Sequence, residues 1–530
     1  MNIDEFLSKI SFKMSYWDDY GYKQTAQLTF NGEKGKINHL VKIYPNTDEN
    51  FQRILNNQIE ADDKFFLFGD SKEYYEFIQN TLKDEADSNR WFELTGDIAF
   101  KAQEFIEYFD TLERSLYENE DNSSRELLYM LDESFFRDLT RKRWEEKLLS
   151  YHRLTINSSF LSDYKFTIKA GHQEVFKVDV KPKDNISVKL DRKSLPLSVS
   201  NNVFCIIGEN GSGKTRFIRE LSKAILNEQS EITIENSKFD TQDDANVMNR
   251  VLYFSFSPFD DSINIDLPSK DADCFEYVGI LNYDEVTEYK NIGDRITADI
   301  LESLKIIKIS IDQSKLWLEA MERIIFEEWV ANLIYIFKND LVKSDEIDLN
   351  GVKTSGYTYI EYDKTYNKIK NFSSGQKILL LTITKLILKL TERTIVFVDE
   401  PELFLHPPMI KSYVRLISDI VNSVNGLGFI ITHSPITLQE FPSRCVKQAY
   451  HDDYLGEYLI KSVNFNTFGE NINVINDKIF NIGLQQSGYY NLIERLKFSE
   501  NAKSELRKLL EFSGSEARLL INLFLEGTSE

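Results

Sequence analysis

The chain has 530 residues, 42% of them hydrophobic, and a formal net charge of −22. That length can bury a sizeable core and hold two or more domains. The acidic balance argues against a surface that binds nucleic acid over its whole extent.

In chain order, residues 1–150 carry 31 acidic and 19 basic side chains, a net of −12. Thr25-Ala-Gln-Leu-Thr-Phe30 alternates apolar and polar, Asn31-Gly32 is a tight-turn signal, and Ile37 to Tyr44 returns as an apolar-rich run; together they predict a β-hairpin. Ser71 to Leu82, Ile98 to Tyr117 and Glu133 to Leu149 then carry Phe, Tyr and Leu at helical spacing. Such stripes serve as core, with a partner surface as the lesser reading. Residues 1–150 therefore read as an N-terminal α+β accessory domain.

Residues 151–200 reverse the charge, with 5 acidic and 9 basic side chains, a net of +4. With the adjoining Arg141-Lys-Arg143 this excess could meet phosphates, although solvated strand edges carry lysines too. Tyr164 to Ile168 and Glu174 to Val180 read as strands, and Phe176 in the second is a candidate for stacking on a base or for the core.

The apolar run Val203-Phe-Cys-Ile-Ile207 leads into Gly208, Glu209, Asn210, Gly211, Ser212, Gly213, Lys214 and Thr215, and a helical pattern with Phe217, Leu221, Ala224 and Ile225 on one face follows. Strand, glycine loop and helix stand in the order of a phosphate cradle. The glycines turn backbone N–H groups onto the phosphates, Lys214 adds a cation at the β and γ oxygens, and the Thr215 hydroxyl suits magnesium. Residues 296–337 are helical by pattern, with Leu301, Leu304, Trp317, Met321, Ile325, Trp329 and Leu333 at three- and four-residue steps. Unbroken heptads are absent, so a compact helical insertion is expected rather than a long coiled coil.

Phe372-Ser373-Ser374-Gly375-Gln376 follows, and 23 positions after Gln376 the strand Thr394-Ile-Val-Phe-Val398 ends in Asp399-Glu-Pro. A carboxylate there emerges at the sheet's carboxyl edge, which assigns Asp399 to magnesium, mostly through water, and Glu400 to general base. The strand Gly428-Phe-Ile-Ile431 leads to Thr432-His433, placing His433 as a γ-phosphate partner.

The loop at 208–215, the motif at 372–376, the acidic strand end at 395–400 and His433 resemble the ATP-binding cassette (ABC) ATPases. Asp399-Glu-Pro-Glu402-Leu-Phe-Leu-His406-Pro resembles the heads of RecF-, SMC- and OLD-type ATPases rather than transporter subunits. The resemblance implies an α/β P-loop head with a mixed sheet, in lobes at 151–265 and 351–470, a helical arm at 266–350 and a C-terminal helical segment at 471–530. It also implies a homodimer, possibly a higher oligomer, closed around two ATP. Ser373 and Gly375 of one copy, within the nucleotide-binding Ser373 to Gln376, would face the γ-phosphate held by Lys214 of the other. Departing from that pattern, no glutamine stands after Val251-Leu-Tyr-Phe254, where Ser257 or Asp260 is the substitute.

Past His433 only 97 residues remain, among them Phe468-Gly-Glu-Asn-Ile472 and an amphipathic tail from Ala502 to Leu525. His451-Asp-Asp453 opens a tyrosine-rich hairpin, and no strand-end glutamate with paired aspartates marks a nuclease. ATPases of this kind are similar to those of bacterial antiphage systems such as the Septu PtuA type, which implies ATP and magnesium as cofactors and a separate nuclease or toxin as effector. A RecF-like DNA-repair ATPase and a nucleotide-gated scaffold are the alternatives. Widely spaced Cys205, Cys274 and Cys445 offer neither a disulfide framework nor a zinc site. The start shows no secretion signal, and Lys385 and Lys389 break the longest apolar stretch, so a cytoplasmic protein without membrane association is expected.

Overall fold

The computed structural model describes the chain apart from residues 15–23, 34, 46, 57–64, 70, 120–121, 137–140, 157–160, 181–185, 189–196, 200–201, 240–241, 244–246, 258–273, 281–291, 325–327, 340–342, 350–351, 359–361, 453–456, 481–487, 500 and 528–530. The chain is α/β and forms two compact units, Met1–Val203 with Ile218–Phe429, and Phe204–Phe217 with Ile430–Glu530.

The first unit opens with an antiparallel sheet of β1 (Ile10–Met14), β2 (Thr25–Gly32), β3 (Gly35–Tyr44) and β4 (Phe66–Gly69), paired in chain order. The alternation in β2 buries Ala26, Leu28 and Phe30, as a sheet packed on one face requires. The last register pair is Gly32 with Gly35, so the hairpin turns just beyond Asn31-Gly32, and Gly35 takes a φ of 124°. Helices pack on the sheet, among them Lys72–Thr81, where the Ser71 side chain caps the start by accepting from the Tyr74 N–H. The stripe expected from Glu133 begins its helix only at Arg141 (Arg141–Thr155), because Leu131–Phe136 forms a π-helical turn.

The aromatic side chains here are core. Phe6 meets Trp91 edge-on with ring centroids 5.1 Å apart, Phe136 stacks on Trp144 at 4.3 Å, and Tyr75 stacks on Tyr151 at 5.0 Å. The buried Trp91 indole finds its partner in the Tyr74 hydroxyl at 3.0 Å, which removes the penalty of an unmet polar group. One continuous cluster runs from Phe6 to Tyr151.

Further along come β5 (Tyr164–Ala170) and β6 (Gln173–Val180), the short pair β7 (Ile186–Val188) and β8 (Leu197–Val199), and the P-loop strand β9 (Val203–Ile207). They are followed by β10 (Ile232–Phe239), β11 (Gln242–Asp243), β12 (Arg250–Ser255) and β13 (Phe275–Gly279). The antiparallel order β11-β10-β5-β6 makes one sheet.

After the hairpin β14 (Lys343–Leu349) and β15 (Val352–Thr358), the strands β16 (Thr394–Asp399) and β17 (Leu427–Thr432) complete the first unit's share of the central sheet in the order β13-β12-β16-β17. The pairs β13-β12 and β12-β16 are parallel, and the register sets Ser255 beside Asp399. Every residue of β12 and β16 is buried, the pattern of parallel strands covered on both faces. The insertion forms helices Ile292–Ile309, Ile311–Glu322 and Glu328–Asn339, with Trp317 stacked on Phe337 at 4.3 Å; Ile325 lies outside the described residues. Asp312 ties it to the accessory core, accepting from the Lys72 backbone N–H at 3.1 Å and the Tyr151 hydroxyl at 2.8 Å.

The second unit holds most of β9, the end of β17, β18 (Val446–Asp452) and β19 (Glu457–Ser462), in the order β17-β9-β18-β19. β18 is parallel to β9, and β19 is antiparallel to β18. The amphipathic tail divides into Ala502–Leu510 and Ser515–Gly527, which with Gly488–Lys497 close a small core around Ile493, Leu506 and Ile521. Among the described residues no helix is long and apolar enough to cross a membrane.

Candidate nucleotide site

β9 is buried along its length and delivers the chain to Gly208. A side chain there would meet the Ala449 carbonyl at 2.4 Å and the Ser212 hydroxyl at 2.6 Å, so only glycine fits. Gly211 and Gly213 take φ values of 78° and 87°, a region closed to most side chains. The space above Gly211 is open, whereas a Cβ on Gly213 would strike the Tyr458 ring at 2.4 Å. The helix Lys214–Ile225 begins directly after, and its first-turn N–H groups lack intrahelical acceptors, which makes this end an anion site.

Lys214 is only 6% exposed, and its Nζ donates to the Gly208 carbonyl at 3.1 Å and the Glu209 carbonyl at 2.9 Å. His433 Nδ1 lies 3.4 Å from the same ammonium. Thr432 ends β17 and its hydroxyl accepts from the Ser434 N–H at 2.8 Å, fixing the turn that carries His433. The Ser212 hydroxyl is buried with no hydrogen-bond partner among the described residues, while Glu209, Asn210 and Gly211 are exposed and Thr215 is half-buried. A caged cation, an orphaned hydroxyl and a glycine concavity fit a polyphosphate. Thus the second unit brings together all of Gly208 to Thr215 with His433.

Asp399 closes β16 at 8% exposure and accepts a hydrogen bond from the Tyr253 hydroxyl at 3.0 Å. Tyr253 is fully buried on β12, its ring 5.6 Å from Tyr277, whose hydroxyl donates to the Ser255 carbonyl at 2.9 Å. The Tyr253 hydroxyl thereby fixes one Asp399 carboxylate oxygen. Sequence reasoning missed Tyr253, because its partner stands 146 residues away. Glu400 adopts φ 45° and ψ 57° ahead of the turn Pro401–Leu403. A left-handed glutamate costs roughly 1–2 kcal/mol, and such strain clusters where a side chain must be aimed. Among the described residues no three His, Cys, Asp or Glu side chains group to hold a metal, so a magnesium ion would draw most of its ligands from phosphate oxygens and water.

Ser373 caps the 16-residue helix Ser374–Lys389. Its hydroxyl accepts from the Gln376 N–H at 3.3 Å, and the Gln376 side-chain oxygen accepts from the Ser373 N–H at 2.9 Å, a reciprocal capping box. Gly375 is buried, and a Cβ would lie 2.7 Å from the Phe404 carbonyl. Ser373 and Ser374 are exposed, and Phe372 is anchored 5.2 Å from the Trp329 ring.

Other candidates are placed differently. Phe176 is 1% exposed and sits edge-on to Phe429 at 5.2 Å, so it is a core residue and offers no face to a base. Ser257 is half-buried at the end of β12, while Asp260 and Asp453 lie outside the described residues. Arg141 is held by Asp110, Glu113 and Glu145, and Arg143 approaches Glu276 at 4.0 Å, so neither stands ready for phosphate.

Fold and loop geometry define an α/β sheet whose buried strand β9 runs into a glycine loop at a helix N-terminus. Residues 304–439 match the family model described as "AAA domain, putative AbiEii toxin, Type IV TA system", a span that includes the Ser373 helix, Asp399, Glu400 and His433. The chain is similar along 93% of its length to Protein ea59 of Escherichia phage lambda, 26% identical over 528 residues and covering 90% of that protein. A shorter likeness, 29% identical over 123 residues, joins 23% of the chain to 46% of a probable ABC transporter ATP-binding protein, p29, of Mesomycoplasma hyorhinis. Among solved structures, an ATP-binding cassette of an ABC transporter in its ADP conformation overlaps 60% of the chain and 93% of its own, at 14% identity and a TM-score of 0.25. Stu0660 of Streptococcus thermophilus overlaps 63% and 85%, at 12% identity and a TM-score of 0.26. Overlaps that loose add nothing to the topology above.

Proposed function

We propose that the chain binds and hydrolyses ATP with magnesium, that two copies close around two nucleotides, and that the cycle governs a separately encoded effector in bacterial antiphage defence. The observation that carries the nucleotide reading is the Lys214 ammonium caged on the Gly208 and Glu209 carbonyls beside His433, in a loop whose Ser212 hydroxyl has no partner among the described residues.

In this reading the loop N–H groups and Lys214 hold the β- and γ-phosphates, and His433 steadies the γ-phosphate. Glu400, aimed by its left-handed backbone, accepts the proton of the attacking water. Magnesium, bound by Thr215 and Asp399, would offset charge on the transferring phosphate. Ser373 and Ser374 stand exposed at a helix N-terminus, which suits them to the γ-phosphate of a second copy.

The RecF, SMC and OLD likeness rests on Asp399-Glu-Pro-Glu402 with His406-Pro407, and the narrower one to PtuA adds the chain's size and Phe468-Gly-Glu470. The defence setting rests on that narrower likeness; the relative matched along 93% of the chain is encoded by phage lambda, and its name states no role. The effector would be a nuclease or toxin, the setting cytoplasmic, and DNA contact at most local. Expression with its neighbouring genes should give a co-purifying protein and phage resistance that Lys214→Ala abolishes. Unchanged phage sensitivity on deletion, with impaired recovery from DNA damage, would instead favour the repair ATPase.

A further inference from the structure

The P-loop has two flanks within its own unit. On one, His433 follows β17 and approaches Lys214 at 3.4 Å. On the other, beyond β9 and β18, Tyr458 sits at the start of β19 with its ring against Gly213. A triphosphate whose γ end is held by Lys214 and His433 must run its sugar and base away from His433, along the first turn of the helix toward the second flank.

That flank is built as an aromatic platform. Tyr458 as a whole residue is 42% exposed although its ring rests on the glycine loop. His451, its cross-strand partner, lies beside it with ring centroids 4.8 Å apart. The Arg216 guanidinium, one residue past Thr215 and itself exposed, lies 5.1 Å from the ring centroid. A planar cation and a phenol ring together offer the surface on which bases stack, independent of hydrogen-bonding edges. The upstream aromatic suited to this role by sequence, Phe176, is buried in the core.

We infer that Tyr458, with Arg216, is the stacking platform for the purine of the bound nucleoside triphosphate, so that the base is held from the C-terminal side of the chain. This rests on the nucleotide reading above. The platform acts on the base alone and leaves the phosphates to the loop.

The test is calorimetric titration of full-length Glu400→Gln, which removes turnover, with ATP and with inorganic tripolyphosphate as a base-free probe. Adding Tyr458→Ala should weaken ATP about tenfold, the worth of one aromatic–base stack, and leave tripolyphosphate unchanged, while Tyr458→Phe keeps ATP affinity. Equal loss of both ligands would overturn the inference and make Tyr458 a buttress of Gly213, and unchanged ATP affinity would overturn it outright. Should the parent bind neither ligand, the nucleotide reading itself falls and takes the platform with it.

Discussion

The P-loop and the Ser373 motif are both glycine-containing turns at helix N-termini, yet they are finished to different degrees within one chain. At the P-loop the cation is caged, the histidine is beside it, and the glycines leave open space above Gly211. At the Ser373 motif the side chains are spent on their own helix, with Ser373 and Gln376 bonded to one another and the outer face exposed. In the proposed reading, one loop finished for phosphate and another merely presented at its helix end is the arrangement two copies would need.

Removing the finished side should have the largest effect. Lys214→Ala is expected to abolish measurable ATP binding, since the cradle loses its fixed cation; retained binding by calorimetry would dismiss the P-loop as the anchor. Breaking the presented side should separate the two loops. Ser373→Arg is expected to leave ATP binding by the isolated chain intact and to stop hydrolysis, and normal phosphate release from that variant would show that the motif touches no nucleotide.

Glu400→Gln should keep ATP bound and turn it over at least ~100-fold more slowly, the usual loss with a general base; an unchanged rate would remove Glu400 from that role. A smaller effect is expected behind the metal. With Tyr253→Phe, one Asp399 oxygen loses its donor, and a hydrogen bond to a charged group is worth about 1.5–3 kcal/mol. The magnesium concentration for half-maximal turnover should therefore rise by at least about tenfold, the lower end of that range, with ATP affinity in the absence of magnesium unchanged. An unshifted magnesium dependence would leave Tyr253 a packing residue.

What could be read from the sequence was what chain-local physics encodes. Glycines at 208, 211 and 213, a β-branched run ending at Asp399, and the alternation of Thr25 to Phe30 each follow from rules spanning fewer than about ten residues. The accessory stripes were legible as core because Phe and Tyr recur at helical steps, although the π-helical turn at Leu131–Phe136 displaced one helix start. Contacts made across the fold were not legible. Tyr253 reaches Asp399 only because β12 pairs with β16, and Tyr458 meets Gly213 only because β18 and β19 lie next in the sheet to β9. Phe176 shows the converse, since an alternating strand does not tell which face is covered, and here the phenylalanine face is. The Ser373 capping box is sequence-visible, as Ser followed three residues later by Gln, but it explains the motif's helix and not its ligand.

Complementation between two inactive variants tests the shared site most directly. Lys214→Ala keeps a sound Ser373 motif, and Ser373→Arg keeps a sound P-loop, so a mixed dimer holds one complete site and one doubly broken site. With half the dimers mixed and one of two sites restored in each, mixing equal amounts with ATP and magnesium should recover about a quarter of wild-type hydrolysis. A mixture no more active than its separate components, in a sample where tagged copies of the two variants co-purify, would contradict sites built from two copies.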